Sequence, residues 1–329
     1  MKAGRAATRL ARDVAWRSAA LGRAISVDER LLDRSDAFPL SRPGIWSANR
    51  KCRLVRAGDG WIAVNLAREA DHDLLPAWTG IRFGGDVWPG LIRWARHRPA
   101  AEISGQAALL GLPVARVGEA GQGSLDVPLI PMGTPGPVGC EVIDLSGLWA
   151  GPLCGALMAQ AGFAVTKVES SQRPDSTRQA MPQFDARLNG TKSRIVCDFA
   201  NGRERGYLRG RILEAGVVIT SARPRAFEQL GMSPQQMFAQ RPGLVWIAIS
   251  GYGWTGDGAN RVAFGDDAAA AGALLRLTAA GKPRFTGDAL GDPLTGMAAA
   301  AAAFDAIAKG GGLLVDAALS AVSAGAARI

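Results

Sequence analysis

Apolar positions recur at helical spacing over residues 1–24, separated by Arg-rich polar positions, and this predicts an amphipathic helix. Residues 25–56 carry Pro39, Pro43 and Gly44 and read as loop-rich. The apolar stretches 52–55 and 61–65 flank Ala57-Gly-Asp-Gly60, and Asp-Gly between two such runs predicts a hairpin. Residues 74–78, 90–97 and 99–110 read as helices, the last of them ended by Gly111 and Pro113.

The pattern changes after a stretch rich in Gly and Pro, residues 118–139, which reads as a linker and puts a domain boundary near 135. Beyond it, short apolar runs alternate with helical periods. Strands are expected at 141–145, 164–168, 193–197, 217–220 and 244–250, and helices at 152–162, 203–215 and 234–239. The unit 141–168, strand then helix then strand, requires parallel pairing with a right-handed crossover. The alternation predicts an α/β fold: a Rossmann-like, open, mostly parallel sheet with helices on both faces, over residues 136–329. Residues 1–135 form a smaller α+β domain with the basic N-terminal helix.

Composition narrows the function. Hydrophobic residues make up 48% of the 329-residue chain and charged residues 20%, as in an ordinary globular protein. The net charge of +9 is concentrated at the start, where residues 1–56 hold thirteen Lys/Arg against five Asp/Glu. The near-neutral remainder, without aromatics interleaved among the basic residues, argues against a dedicated nucleic-acid binder. Met297–Phe304, an apolar run of eight residues, is too short for a bilayer, which needs about 20. Cys52, Cys140, Cys154 and Cys197 form no CxxC pair, and His72 and His97 are the two histidines, so a Cys/His metal site is not expected. Scattered cysteines of this kind predict reduced, mostly buried thiols and a cytoplasmic protein. The Arg- and Ala-rich bias points to a GC-rich bacterial gene.

In a doubly wound sheet, ligands bind beyond the carboxyl ends of the strands. The segment Asp144-Leu-Ser-Gly-Leu-Trp-Ala-Gly-Pro152 sits at such an end, with small residues that let a ligand approach a helix N-terminus. It is not GxGxxG, so a dinucleotide fingerprint is absent. Lys167-Val-Glu169 follows the next strand, and Ser250-Gly-Tyr-Gly-Trp-Thr-Gly-Asp-Gly258 follows a later one. In Gly291-Asp-Pro-Leu-Thr-Gly-Met297 a carboxylate stands among small residues before an Ala-rich helix. Taken singly, each also fits a structural role: a tight turn, a solvated strand end, a mobile loop and a helix N-cap.

Together, and in this order, these stretches resemble the family III CoA-transferases, a family that includes formyl-CoA and carnitine-CoA transferases and 2-methylacyl-CoA racemases. Asn189-Gly-Thr-Lys-Ser193, the segment 223–232 and Arg241-Pro-Gly-Leu-Val-Trp-Ile-Ala-Ile-Ser-Gly-Tyr-Gly253 also match the family's pattern. The stretches 59–68, 98–102 and 110–117 resemble the family's smaller domain, which usually follows the catalytic region; here it precedes it, so the chain reads as permuted. The resemblance implies a CoA-binding catalytic domain with Asp292 as the carboxylate that attacks an acyl-CoA thioester, giving an anhydride and then an aspartyl-CoA thioester. CoA contacts would map to Trp149, Ala150, Ser170, Cys197, Ser221, Ala222 and Gln229, with Arg173, Lys192, Arg223 and Arg261 supplying positive charge. CoA is a substrate on this reading, and no cofactor is permanently bound. The partners implied are acyl-CoA, an acceptor carboxylic acid and a second copy of the chain as a homodimer, with no nucleic acid and no membrane. Oxyanion donors are expected from the glycines near 251–258 or 310–312. A racemase-like isomerase, with Asp266 or Asp267 as base, and a non-catalytic CoA-binding subunit are the alternatives.

Overall fold

A computed structural model describes residues 2–329. The chain begins with α1 (Lys2–Ala20), followed by a short 3-10 turn at Glu29–Leu31. The smaller domain contains β1 (Cys52–Arg56), β2 (Trp61–Asn65), α2 (Glu69–Asp73), α3 (Leu75–Thr79), α4 (Trp88–Ala95), α5 (Ala100–Leu110) and β3 (Val114–Arg116). Then come β4 (Leu129–Pro131), β5 (Glu141–Leu145), α6 (Ala150–Gln160), β6 (Ala164–Ser170), α7 (Ser176–Ala180), α8 (Pro182–Asn189) and β7 (Ser193–Cys197). The remainder is α9 (Gly202–Glu214), β8 (Val217–Thr220), α10 (Pro224–Leu230), α11 (Pro234–Gln240), β9 (Val245–Ser250), α12 (Gly265–Ala271), a two-residue ribbon of β10 (Arg276–Leu277) and β11 (Pro283–Arg284), α13 (Gly291–Ala308), β12 (Leu313–Ala318) and α14 (Leu319–Ala326).

The large sheet has the order β4-β12-β9-β8-β5-β6-β7. All its neighbours pair in parallel except β4, which runs antiparallel along β12. Strand order reverses between β5 and β8, so the loops leaving those strands diverge and open a crevice at the carboxyl ends. Strands β8 and β9 are buried along nearly their whole length, which is why they read as continuous apolar runs rather than alternating ones.

One face of the sheet packs on α1, α6, α13 and α14, and the other on α9, α10 and α11. Ala298–Ala303 in α13 are at most 2% exposed. Their small side chains suit a helix wholly enclosed in protein, and alanine is also the best helix former. Ala6, Leu10 and Val14 of α1 form the stripe buried against this core. The N-terminal helix therefore joins the larger layer instead of the smaller domain. The stretch read as a linker is also part of that layer, because Leu125 and Val127 are buried in its core and β4 extends its sheet.

The smaller domain is the antiparallel sheet β1-β2-β3 with its own apolar cluster. Its hairpin closes where expected, with the Ala57 N–H donating to the Gly60 carbonyl at 3.0 Å. The four cysteines are free; Cys140 is exposed and the others are buried. Among the described residues no helix is long and apolar enough to cross a membrane, and no cluster of His, Cys, Asp and Glu side chains could hold a metal ion.

Candidate active site

Asp292 lies in the first turn of α13, but it does not cap that helix: no side chain accepts from the helix's N-terminal amides. Its carboxylate instead faces two cavities, of about 540 and 220 Å³, and lines both. The backbone of Gly265, at the start of α12, lies directly beside it. A Cβ at Gly265 would stand 2.4 Å from Asp292 Oδ2 and from the Ala289 carbonyl, so this position requires a residue without a side chain.

The chemistry of Asp292 follows from its neighbours. Burial pushes its carboxyl up to about 7; Asp266 and Asp288 add to that rise, while Arg34 and the Gly265 backbone oppose it. An Asp left to itself would be ionised throughout the neutral range, so this site holds its carboxylate closer to the protonated form than the sequence alone indicates. Asp266 is also pushed up to about 7, by burial and then by Asp288. Arg34 is the nearby cation. It grips Asp288 through Nε at 2.6 Å and Nη2 at 3.0 Å and lies over the Trp149 ring at 4.9 Å.

The larger cavity opens at the carboxyl ends of β5, β8 and β9. Gly147, Leu148, Ala150 and Gly151 line it from the β5–α6 loop, Ser221 and Ala222 from the end of β8, and Ser250 and Gly251 from the end of β9. Arg68, Arg173, Arg223 and Arg261 line it, Arg68 paired with Asp71 and Arg261 with Glu119, and Asp292 is its sole lining carboxylate among the described residues. Ala150 and Gly151, the first residues of the eleven-residue α6, border the same space. Cations and a helix N-terminus together make a site for phosphates. Leu148 adopts a left-handed backbone at φ 66°, with its N–H donated to Asp175 Oδ2 at 3.1 Å, and lines both cavities. A residue held in that region by its surroundings is typical of binding sites.

The residues expected at the site separate into two groups. Ala150, Arg173, Ser221, Ala222, Arg223 and Arg261 line the larger cavity with Asp292. Ser221 Oγ accepts the Gly147 N–H at 2.9 Å and so fixes the loop, while Arg261 pairs with Glu119 at 2.6 Å and stacks on Tyr252. The others lie elsewhere. Trp149 is 3% exposed, donates its indole N–H to the Leu31 carbonyl at 3.0 Å, and forms a wall of the smaller cavity. Lys192 is fully buried, donating to Asp144 Oδ2 at 2.8 Å, the Pro152 carbonyl at 2.8 Å and Asn189 Oδ1 at 2.9 Å. With its three protons satisfied it has no capacity left for a phosphate and is a structural group. Ser170 holds the following turn by accepting the N–H groups of Gln172 and Arg173. Cys197 lines a separate groove of about 510 Å³ between β7 and α9, and Gln229 lies exposed on α10. Of the expected oxyanion donors, Gly251 borders the cleft, whereas Gly310, Gly311 and Gly312 precede β12 at the opposite end of the sheet, packed on Gly136, Gly243 and Thr134.

Reading the sequence missed Arg34, Gly265, Arg68 and Asp288. Arg34 and Asp288 lie outside the motifs, Arg68 ends a stretch read as part of the smaller domain, and Gly265 directly precedes Asp266 and is marked only by its lack of a side chain. His72 and His97 are exposed in the smaller domain and line neither cavity.

Residues 138–327 match the family model described as CoA-transferase family III. An acyl-CoA transferase of Fusarium pseudograminearum is 31% identical over 176 residues, which are 48% of this chain and 39% of the relative. The succinyl-CoA–D-citramalate CoA-transferase of Chloroflexus aurantiacus is 29% identical over 189 residues, 54% of this chain and 47% of the relative. The crystal structure of a CaiB/BaiF family protein from Brucella suis superposes with a TM-score of 0.52 at 27% identity, covering 58% of this chain and 55% of that one. The chain thus spans about half the length, or less, of the curated relatives it matches.

Proposed function

The chain belongs to CoA-transferase family III, and from that premise we propose that it moves CoA between an acyl-CoA thioester and a carboxylic acid, with Asp292 as the covalent nucleophile. The observation that carries this reading is a single carboxylate shared by an arginine-rinsed cleft and a small cavity, free of any capping role in its own helix. An anionic cofactor-like substrate suits the first space and an acyl group the second. The smaller domain and the segment leading into it contribute Asn49, Lys51, Asn65 and Arg68 to the cavities at Asp292.

The steps balance without an outside reagent. Asp292 Oδ attacks the thioester carbonyl, the C–S bond breaks, and an aspartyl–acyl anhydride and CoA thiolate result. The thiolate then attacks the aspartyl carbonyl of the anhydride, releasing the first acid as its carboxylate and leaving an aspartyl-CoA thioester. The acceptor carboxylate attacks that thioester to give a second anhydride and CoA thiolate again. Attack of the thiolate on the acceptor's carbonyl yields the new acyl-CoA and restores Asp292. Covalent catalysis of this kind divides one hard transfer into easier ones. The cationic cleft keeps the departing thiolate close by holding its phosphates. The raised carboxyl makes the first step depend on pH, since the protonated acid is not nucleophilic.

A racemase-like isomerase needs a base free to take an α-proton. Both oxygens of Asp266 are occupied, one by the Ala289 N–H at 2.9 Å and one by Asn49 Nδ2 at 3.0 Å, and Asp267 is buried against Asn65. Neither favours that chemistry. Incubating the protein with an acyl-CoA and its isotopically labelled free acid tests the reading. Label appearing in the acyl-CoA supports transfer. Deuterium uptake at the α-carbon from heavy water, without label exchange, identifies an isomerase, and neither signal identifies a binding subunit.

A further inference from the structure

Asp292 enters α13 from a bend at residues 287–290, and Ala289 in that bend has a left-handed backbone at φ 42°. Glycine adopts this conformation freely, whereas a residue with a side chain keeps it only where its surroundings hold it. The group that holds it is Asp266, in the first turn of α12, whose Oδ1 accepts the Ala289 N–H at 2.9 Å. The Ala289 carbonyl in turn accepts the Asp292 N–H at 2.8 Å, so a single residue links the Asp266 carboxylate to the backbone of Asp292. The other oxygen of Asp266, Oδ2, accepts Asn49 Nδ2 at 3.0 Å. Asn49 Oδ1 is itself fixed by the Ser47 hydroxyl at 2.7 Å and the Lys51 N–H at 2.9 Å. A Cβ at Gly291 would stand 2.8 Å from the Gly265 carbonyl, so the bend already touches α12 and cannot close further. The Asp266 bond keeps it from opening. An unbroken series of hydrogen bonds therefore runs from Ser47, in the segment leading into the smaller domain, through Asn49, Asp266 and Ala289 to Asp292. Four of these residues, Asn49, Asp266, Ala289 and Asp292, line the smaller cavity.

We infer that Asp266 is a positioning residue for the Asp292 nucleophile. By holding the Ala289 N–H it sets the angle at which the Asp292 carboxylate meets the acyl carbonyl. Through Asn49 it ties that setting to the segment that carries the smaller domain. The inference rests on the transferase reading and adds to it a residue that acts through Asp292. What the role requires of Asp266 is two hydrogen bonds in a fixed geometry, with no proton transferred at its oxygens.

The test is label exchange between acetyl-, butyryl- or succinyl-CoA and the matching free acid, using the pair that the wild-type protein turns over fastest. Assay at about pH 8.5 keeps Asp292 ionised in every variant. Asp266→Ala should lower kcat about 10²-fold, the usual cost of an ångström-scale misplacement, and leave the KM for acyl-CoA within about twofold of wild type. Asp266→Asn keeps an acceptor for the Ala289 N–H but turns an amide toward the Asn49 amide, and should lower kcat about tenfold, the scale of one hydrogen bond. The double variant Asn49→Asp/Asp266→Asn restores both hydrogen bonds with donor and acceptor exchanged, and should recover kcat to within about threefold of wild type. A residue that moved a proton would not be rescued by that exchange. Melting temperatures show which variants fold; if Asp266→Ala does not, the comparison of Asp266→Asn with the double variant carries the test. Three results overturn the positioning role and leave the transferase intact: full kcat in folded Asp266→Ala, a rise in KM at unchanged kcat, or a folded double variant no faster than Asp266→Asn. Absence of exchange in the wild-type protein overturns both.

Discussion

Asp144, in β5, meets Lys192 Nζ at 2.8 Å with both side chains fully out of solvent, whereas Asp292 shares its surroundings with Asp266, Asp288 and one guanidinium that already grips Asp288. In the first cluster every capacity is used. Asp144 also accepts the Ser146 N–H and hydroxyl, and Lys192 donates three times. Lys192 and nearby Lys167 hold the Asp144 carboxyl below its ordinary value against the opposing effect of burial. In the second cluster carboxylates outnumber cations, and Asp292 and Asp266 are both pushed up to about 7. A satisfied buried pair fixes the loop that shapes the cleft; the proposed nucleophile is an under-compensated carboxylate bordering two cavities. Burial and charge are common to both, so what distinguishes scaffold from site is how much bonding capacity remains.

The largest expected effect is on the reactive side. Asp292→Asn should lower CoA exchange by at least about 10⁴-fold, as removal of a covalent nucleophile does. Its stability should move the other way. A carboxyl raised from 3.8 to about 7 by the fold favours the folded state when protonated, so wild-type stability falls as pH climbs through that interval and stays lowered above it. The variant should therefore melt at or above the wild-type temperature at pH 8, with the gap closing toward pH 4. A variant that melts well below wild type at pH 8 would place Asp292 among the scaffold groups and erase the contrast.

Lys192→Met tests the other side. It leaves Asp144 buried without its cation, and urea titration should show a loss of about 3–5 kcal/mol, the usual cost of breaking a buried pair by removing one partner. Retention of full stability with a selective rise in KM for acyl-CoA would show instead that Lys192 reaches CoA after all. Gly265→Ala should fold yet lose about 10²-fold in exchange, because its Cβ would displace Asp292 by the kind of ångström-scale shift that costs this much in a reacting pair. The smallest effect is expected from Arg34→Met. Removing the cation that opposes the raised carboxyl should move the acid limb of kcat/KM to higher pH, an outcome that loss of packing alone would not produce.

Much of this architecture is legible without coordinates. The strands at 141–145, 193–197 and 217–220 fall at the expected residues, each built on adjacent apolar residues: Val142-Ile143, Ile195-Val196-Cys197 and Val217-Val218-Ile219. The crevice and Asp292 follow from strand–helix alternation and from a motif contiguous in sequence. What was hidden depends on contacts between distant segments. The Gly/Pro-rich stretch reads as a linker because the partner of β4 is β12, more than 180 residues later, and nothing local announces that pairing. Trp149 and Lys192 have the residue types and neighbourhood expected at a CoA site. Whether such a side chain faces a ligand or the core is decided by partners such as the Leu31 carbonyl and Asp144, which the motif does not name. The raised carboxyl of Asp292 was likewise invisible, since it arises from Asp266, Asp288 and Arg34 brought together by folding.

The most direct test is to mix the protein with an acyl-CoA, quench rapidly and locate any adduct by peptide mass spectrometry. The account predicts an acyl or CoA mass on the peptide containing Asp292, absent in Asp292→Asn. Robust CoA exchange with the adduct on another residue, or with none at all, would contradict it.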